Sequence, residues 1–481
     1  MSASLIRFLE VVVADVMNDG PGDDMDVVYH RVAGLDVHKK TVVACRLVRG
    51  SDGQARHETK TFSTVTESLL ELSDWLAETD TTHVAMESTG EYWKPVYNIL
   101  EGNFQLLLVN AHHLKMVPGR KTDVGDARWI ARLLQFGLLK ASFVPPASQR
   151  ALRELTRHRS TFIRQRAMLA NRIQKVLEGC NIKLASVASD VLGASGKAML
   201  RAIVEGETNP TTLAELAKGR LRDKNQALQQ ALFGRIEGHH RLALRELLRQ
   251  VDSLDESIAQ FTVAIEDMCR QDGSSNGKGG SEPQSASAPQ DQLENHAPLR
   301  PDTENRTDSP SLPPIPFDAA VALLTTIPGV GKNTAEMVVS EIGTNMERFP
   351  SANHLSAWGG VAPANNTSGG KILNGTTRQG NKALKAGLVQ AAHAAARTKA
   401  TFLSAQFKRV AKRRGGKRAA MAVAHSLLII IYHMLRRHQP YRELGEDYYD
   451  KLKPEAKVDK LVRQIAKLGY NTTLSPSTAT A

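Results

Sequence analysis

The sequence predicts an α/β domain at the N-terminus, a long helical middle and a mainly α C-terminal domain. Three observations carry this. Apolar strands alternate with helical spacing between residues 27 and 140, an apolar three-four repeat runs unbroken through residues 244–268, and two helical segments flank a Gly-x-Gly turn within residues 323–342. A chain of 481 residues forms two or three cores more readily than one.

In chain order, strands are expected at residues 27–35 and 41–48, separated by the turn-like His38-Lys39-Lys40, and again at 83–86 and 105–109. A helix over 68–79 leads into the third strand, and residues 123–139 have helical spacing. Residues 147–178 form a basic helix with eight Arg or Lys and two acids, Glu154 and Glu178. Farther on, Leu244, Leu247, Val251, Leu254, Ile258, Phe261, Ile265 and Met268 make a heptad seam that predicts a coiled coil, paired either with the basic helix of the same chain or with another copy. Residues 271–316 are too polar to order a backbone and read as a disordered linker. The expected division is an acidic extension at 1–26, an α/β domain at 27–146, a helical region at 147–270, the linker at 271–316, a C-terminal domain at 317–440 and a tail at 441–481.

Lysine and arginine number 62 against 50 acids, a net +12. The excess is concentrated: residues 351–442 hold 16 Lys or Arg and no Asp or Glu, leaving the remainder at −4. So long a single-sign segment repels itself unless an anion neutralises it, which points to nucleic acid. Cys45, Cys180 and Cys269 are too scattered for a zinc signature or a disulfide framework, and a reducing cytoplasm is the simplest compartment. The apolar stretch 5–17 is broken by Arg7, Glu10 and Asp15, and the run 421–435 is short for a bilayer and carries His425 and His433, so no membrane partner is expected.

Four acids stand where chemistry is expected. Asp36 and Glu87 each end a strand, so both carboxylates emerge at one sheet edge; Asp123 and Asp126, three apart at a helix start, share a face. Such a cluster suits two magnesium ions acting on a phosphodiester. His38 reads first as a solvated turn histidine, with contact to the same site as the alternative, and His112 and His113 as surface or phosphate contacts. In the C-terminal domain Ile327-Pro328-Gly329-Val330-Gly331-Lys332 matches a helix-hairpin-helix turn, whose backbone N–H groups face phosphate without reading bases; its spacing is not that of a Walker loop. Nucleic-acid contacts are expected at Gly329, Gly331, Lys332, Lys371, Arg378 and Lys382. Ser368, in a glycine-rich loop flanked by cations, is by composition alone a loop serine.

Taken in order, Gly34-Leu35-Asp36-Val37-His38-Lys39, Met86-Glu87-Ser88-Thr89-Gly90, Lys121-Thr122-Asp123-Val124-Gly125-Asp126-Ala127, Ile327-Pro328-Gly329-Val330-Gly331 and Ser368-Gly369-Gly370-Lys371 resemble the DEDD transposases of the IS-one-ten type, over residues 31–140 and 320–440. The resemblance implies a RuvC-like, ribonuclease-H-type N-terminal domain with Asp36, Glu87, Asp123 and Asp126 as ligands of two Mg2+ ions, joined by a coiled coil to a C-terminal transposase domain. It also implies a recombinase of a bacterial insertion sequence, acting on donor and target DNA through a phosphoserine at Ser368. Its partners would be a structured non-coding bridge RNA and further copies of the chain, a dimer or tetramer with a composite active site, in the bacterial cytoplasm at the nucleoid. Thr367 neighbours the serine, and the linker and acidic extension look like additions to the family's core. Two other functions use the same residues: a RuvC-like structure-specific endonuclease with activated water, and a non-catalytic nucleic-acid scaffold.

Overall fold

The strand-forming residues on either side of the turn His38-Lys39-Lys40 build one mixed sheet. Arg31–Val37 (β1) pairs antiparallel with Thr41–Arg49 (β2), and β2 with Ala55–Ser63 (β3). On its other side β1 runs parallel to His83–Glu87 (β4), which is parallel to Gln105–Val109 (β5); the two-residue Ala141–Ser142 (β6) closes the edge antiparallel. The order β3-β2-β1-β4-β5-β6 is that of a ribonuclease-H-like sheet. The computed structural model describes residues 27–50, 54–88, 90–110, 126–275, 312–363, 366–368, 371–374, 377, 379–452 and 454–474. It divides into two compact units, Met1–Pro145 and Pro146–Ala481.

Alternation along the strands separates two cores in the first unit. Ala33, Leu35, Val84 and Met86 face Leu69, Leu72 and Leu76 of Thr66–Ala77 (α1) and Val96 and Leu100 of Trp93–Leu100 (α2). Val32, Ala85 and Val109 face Ile130, Ala131 and Leu134 of Asp126–Gln135 (α3). β3, α2 and β6 are not among the elements expected from sequence. In β3 only Phe62 is buried, so an edge strand exposed at its other positions shows no apolar period. The first strand begins at Arg31 rather than residue 27, because the backbone N–H groups of Val28 and Tyr29 are spent on Gln135 O at the end of α3.

In the second unit the basic helix, Ala147–Gly179 (α4), lies antiparallel to Gly238–Ser275 (α9). Leu152 meets Ile265 and Cys269, Phe162 meets Phe261, Arg166 pairs with Asp255, and Leu169, Ile173 and Leu177 share a core with Leu244, Leu248 and Val251. The pairing within the chain is thus the one present. Its seam departs from the expected heptad: Leu248 and Cys269 are buried where Leu247 and Met268 are half-buried. Between the two long helices, Leu184–Val187 (α5), Ala194–Glu205 (α6), Pro210–Glu215 (α7) and Asn225–Leu232 (α8) cap the hairpin. Lys197 ties α6 to Asp252 and Asp255 of α9 at 2.8 and 2.7 Å.

Past residues 276–311, which lie outside the described residues with most of the expected linker, a helical bundle forms around Gly416–Arg437 (α15). Its partners are Phe317–Thr325 (α10), Lys332–Ile342 (α11), Ala352–Trp358 (α12), Lys382–Arg397 (α13) and Phe402–Arg414 (α14). By length and composition α15 is long and apolar enough to cross a membrane, longer than the run seen in the sequence. Yet Val423, Ala424, Leu427, Leu428 and Ile431 are fully buried in the bundle core. The expected tail contains two more helices, Tyr448–Leu452 (α16) and Pro454–Lys467 (α17).

Candidate active site

Parallel pairing of β1 and β4 in the register Leu35↔Met86 brings Asp36 and Glu87, each one residue farther on, to adjacent strand ends. Side-chain alternation turns both away from the Leu35/Met86 core, onto the face covered by α3. That helix starts at Asp126 and crosses β1 at Gly34, where a Cβ would meet Ala127 O, Ala131 N and, at 3.0 Å, Ile130 Cβ. Gly34 therefore lets α3 lie directly on the strand that carries Asp36. Asp36 and Glu87 thus share one sheet face, and Asp126 stands at the start of the helix that covers it. Asp123 lies outside the described residues, as do Thr89, His112 and His113.

The Asp36 carboxylate, with its side chain 13% exposed, accepts from His38 Nε2 at 3.1 Å, so the turn histidine is a partner of the site rather than merely solvated. Among the described residues, the donors lying within 4.8 Å of one another are those of Glu237, His239 and His240, on the second unit, and not the three acids.

In the second unit the Gly-x-Gly turn joins α10 and α11 as expected. Gly329, at φ +88, packs its Cα against Ala391 and Ala395 of α13 and is a packing glycine, whereas Gly331 precedes the first turn of α11 without a side-chain cap. The loop read around Ser368 is a β-hairpin, Asn366–Ser368 (β7) and Lys371–Asn374 (β8), with Ser368 opposite Lys371. Arg378 lies outside the described residues. The hairpin is pinned at its base. Pro363 bridges to Thr377, Lys385 Nζ donates to Thr377 Oγ1 at 2.7 Å, and Gly380 approaches so near that a Cβ would sit 2.7 Å from Trp358 O.

Below that base is a buried polar network that the sequence analysis missed. Glu341 of α11, fully buried, accepts from Arg157 Nε and Nη2 of α4 at 2.6 and 2.9 Å and from Asn381 Nδ2 at 2.6 Å. Asn381 in turn caps α13 by accepting from Leu384 N at 3.0 Å. Arg153 also reaches Glu341, and burial pushes its guanidinium down to about 10 against the pull of that carboxylate. Beside them Arg159 and Glu336 pair at 2.6 Å, both buried. Three of the eight basic residues of α4, Arg153, Arg157 and Arg159, thus serve as counter-ions to buried acids, and the available signal was the pair Glu336 and Glu341 among the apolar residues of 335–342.

Comparison with known proteins gives two ordered matches. Residues 33–182 match the DEDD transposase family of IS110, described as a transposase, and residues 321–407 match the Transposase IS116/IS110/IS902 family. The transposase for insertion sequence element IS1111A of Coxiella burnetii is 36% identical over 121 residues, 24% of this chain and 33% of its own length. The pilin gene-inverting protein of Moraxella bovis is 30% identical over 123 residues, 25% of this chain and 38% of its own. The chain spans about a third of the length of these curated relatives. A solved T. thermophilus RuvC in complex with Holliday junction substrate covers 24% of this chain and 100% of its own, at 14% identity and a TM-score of 0.18. The chain thus carries, in order, a segment matching the DEDD transposase family of IS110, which holds the ribonuclease-H-like sheet, and a segment matching the Transposase IS116/IS110/IS902 family.

Proposed function

We propose that the protein is a DNA transposase that cuts and rejoins strands at an insertion sequence, with Asp36, Glu87, Asp123 and Asp126 holding two Mg2+ ions and Ser368 as nucleophile. The observation that carries this is the pair Asp36 and Glu87, side by side on parallel strand ends and facing the helix that begins at Asp126. Carboxylates gathered on one face repel one another, and their hard oxygens fit magnesium. When bound, such ions supply neutralisation of charge at the phosphorus and the leaving oxygen. His38 orients the Asp36 carboxylate through its 3.1 Å contact.

Ser368 Oγ forms a bond to phosphorus as the bond to the sugar oxygen breaks; the serine loses its proton and the departing oxygen gains one. The resulting phosphoserine conserves the phosphodiester for rejoining. The α10–α11 turn holds backbone phosphate, and the acid-free segment 351–442 supports a polyanionic partner: donor and target DNA, with a bridge RNA choosing sequence by base pairing. A dimer or tetramer, in which the serine unit of one copy meets the acid cluster of another, completes the site in the bacterial cytoplasm.

The test is trapping on labelled element-end DNA. Ser368→Ala removes the denaturation-resistant protein–DNA adduct, and Asp36→Asn abolishes strand transfer while sparing binding. Full cleavage by Ser368→Ala would instead identify a nuclease with activated water. Binding without any magnesium-dependent scission would leave a scaffold.

A further inference from the structure

Within the second unit, α4, the start of α11 and the start of α13 enclose a groove of about 1380 Å³. Four cations line it, Arg157 and Arg164 from α4, Lys332 from α11 and Lys382 from α13, and no carboxylate does among the described residues. Their charges are not equally committed. Arg157 is held by buried Glu341, and Lys332 reaches Glu266. Among the described residues Arg164 bonds to Ser160 O at 3.3 Å and Thr161 Oγ1 at 3.0 Å and to no carboxylate, and Lys382 is exposed with no carboxylate partner. Between the cations the wall mixes apolar side chains, among them Trp358, Met337 and Ile163, with neutral polar ones such as Asn333 and Gln390.

The geometry points to this groove as a seat for an unpaired strand of nucleic acid. A duplex shows a protein surface chiefly its phosphates and keeps the faces of its bases stacked inside. An unpaired strand presents phosphates and base faces together, and a groove with cations spaced along a mixed wall that holds an aromatic ring and hydrogen-bonding side chains satisfies both. Two helices also begin at the groove, α11 and α13, adding the favourable ends of their dipoles to the side-chain cations. The groove abuts the base of the Ser368 hairpin through Gln379 and Gly380. This deepens the transposase reading and rests on its nucleic-acid partner, but not on its chemistry.

The experiment is fluorescence anisotropy of full-length protein, in chelator, with short labelled oligo(dT), oligo(U) and a duplex, across a salt series. Arg164→Ala and Lys382→Ala, both at exposed positions, each lower the magnitude of the salt slope for the unpaired strand by about 0.7, and together by about 1.4. Lys224→Ala, on an exposed turn far along the hairpin cap, leaves it unchanged and controls for net charge. Thermal melts confirm that the variants fold. A photoreactive strand crosslinks to peptides containing Trp358 or Met337. Preference for oligo(dT) or oligo(U) tells whether the strand is DNA or RNA, and either supports the groove. Unchanged slopes, crosslinks confined to other elements, or a duplex that binds as well as the unpaired strand would each overturn it. If the unmutated protein forms the Ser368 adduct but does not bind the unpaired strand in the groove, this inference alone is overturned; if it binds the strand but forms no adduct, only the catalytic reading is.

Discussion

Gly34→Ala tests the link between fold and chemistry most directly. The new Cβ would lie 3.0 Å from Ile130 Cβ and nearer still to Ala127 O and Ala131 N, where ordinary contact begins at 3.4 Å. Two of these atoms are helix backbone, so no rotamer change relieves the clash and α3 must retreat by about 1 Å. Overpacking of this kind costs about 1–3 kcal/mol. The helix carries Asp126 at its first position, so the displacement passes to the acid cluster, where a misplacement of about 1 Å costs on the order of 100-fold in rate. Chemical denaturation and the initial rate of adduct formation, measured on the same preparation, should therefore both fall, with the rate falling further than the loss of folded protein explains. A variant of unchanged stability and full rate would refute the close seating of α3 on β1 and the role assigned to Asp126 with it.

Glu341→Gln keeps shape but leaves Arg153 and Arg157 without a buried counter-charge; stability should fall by about 3–5 kcal/mol in urea unfolding, since breaking a buried pair strands the remaining charge. A smaller loss is expected for Asn381→Ala, about 1 kcal/mol for the cap of α13, read in the same assay. Burial lowers the pKa of His425 on α15, so below about pH 6.5 the unfolded chain takes a proton that the native bundle resists. Stability should accordingly decline as pH falls from 7 toward 5, by at most about 1.4 kcal/mol per pH unit from this group, and His425→Gln should flatten the profile of urea midpoints.

Much of the candidate site was legible because its signals are local. Asp36 and Glu87 close apolar runs of strand character, Gly329 and Gly331 punctuate two helical periods, and the basic segment announces its charge in composition. What escaped lacks a local signal. β3 is an exposed edge whose Phe62 alone turns inward, and the residues between α4 and α9 form short helices whose core is shared with distant turns. His38 became a partner of Asp36 only through the tightness of the β1–β2 turn.

The amino-acid order therefore carried the layered α/β pattern, the acids at strand ends and the concentration of positive charge, since each depends on neighbours within a turn or a strand. Which cations line the groove without an acid partner and which pair with buried acids depends on folding. Arg157 and Glu341 are 184 residues apart, and Arg164 and Lys382 meet at one groove only after α4, α11 and α13 pack. The physical reason is that burial and charge pairing are properties of three-dimensional neighbourhoods. A periodicity shows that a helix has an apolar face, but not which distant surface will cover it.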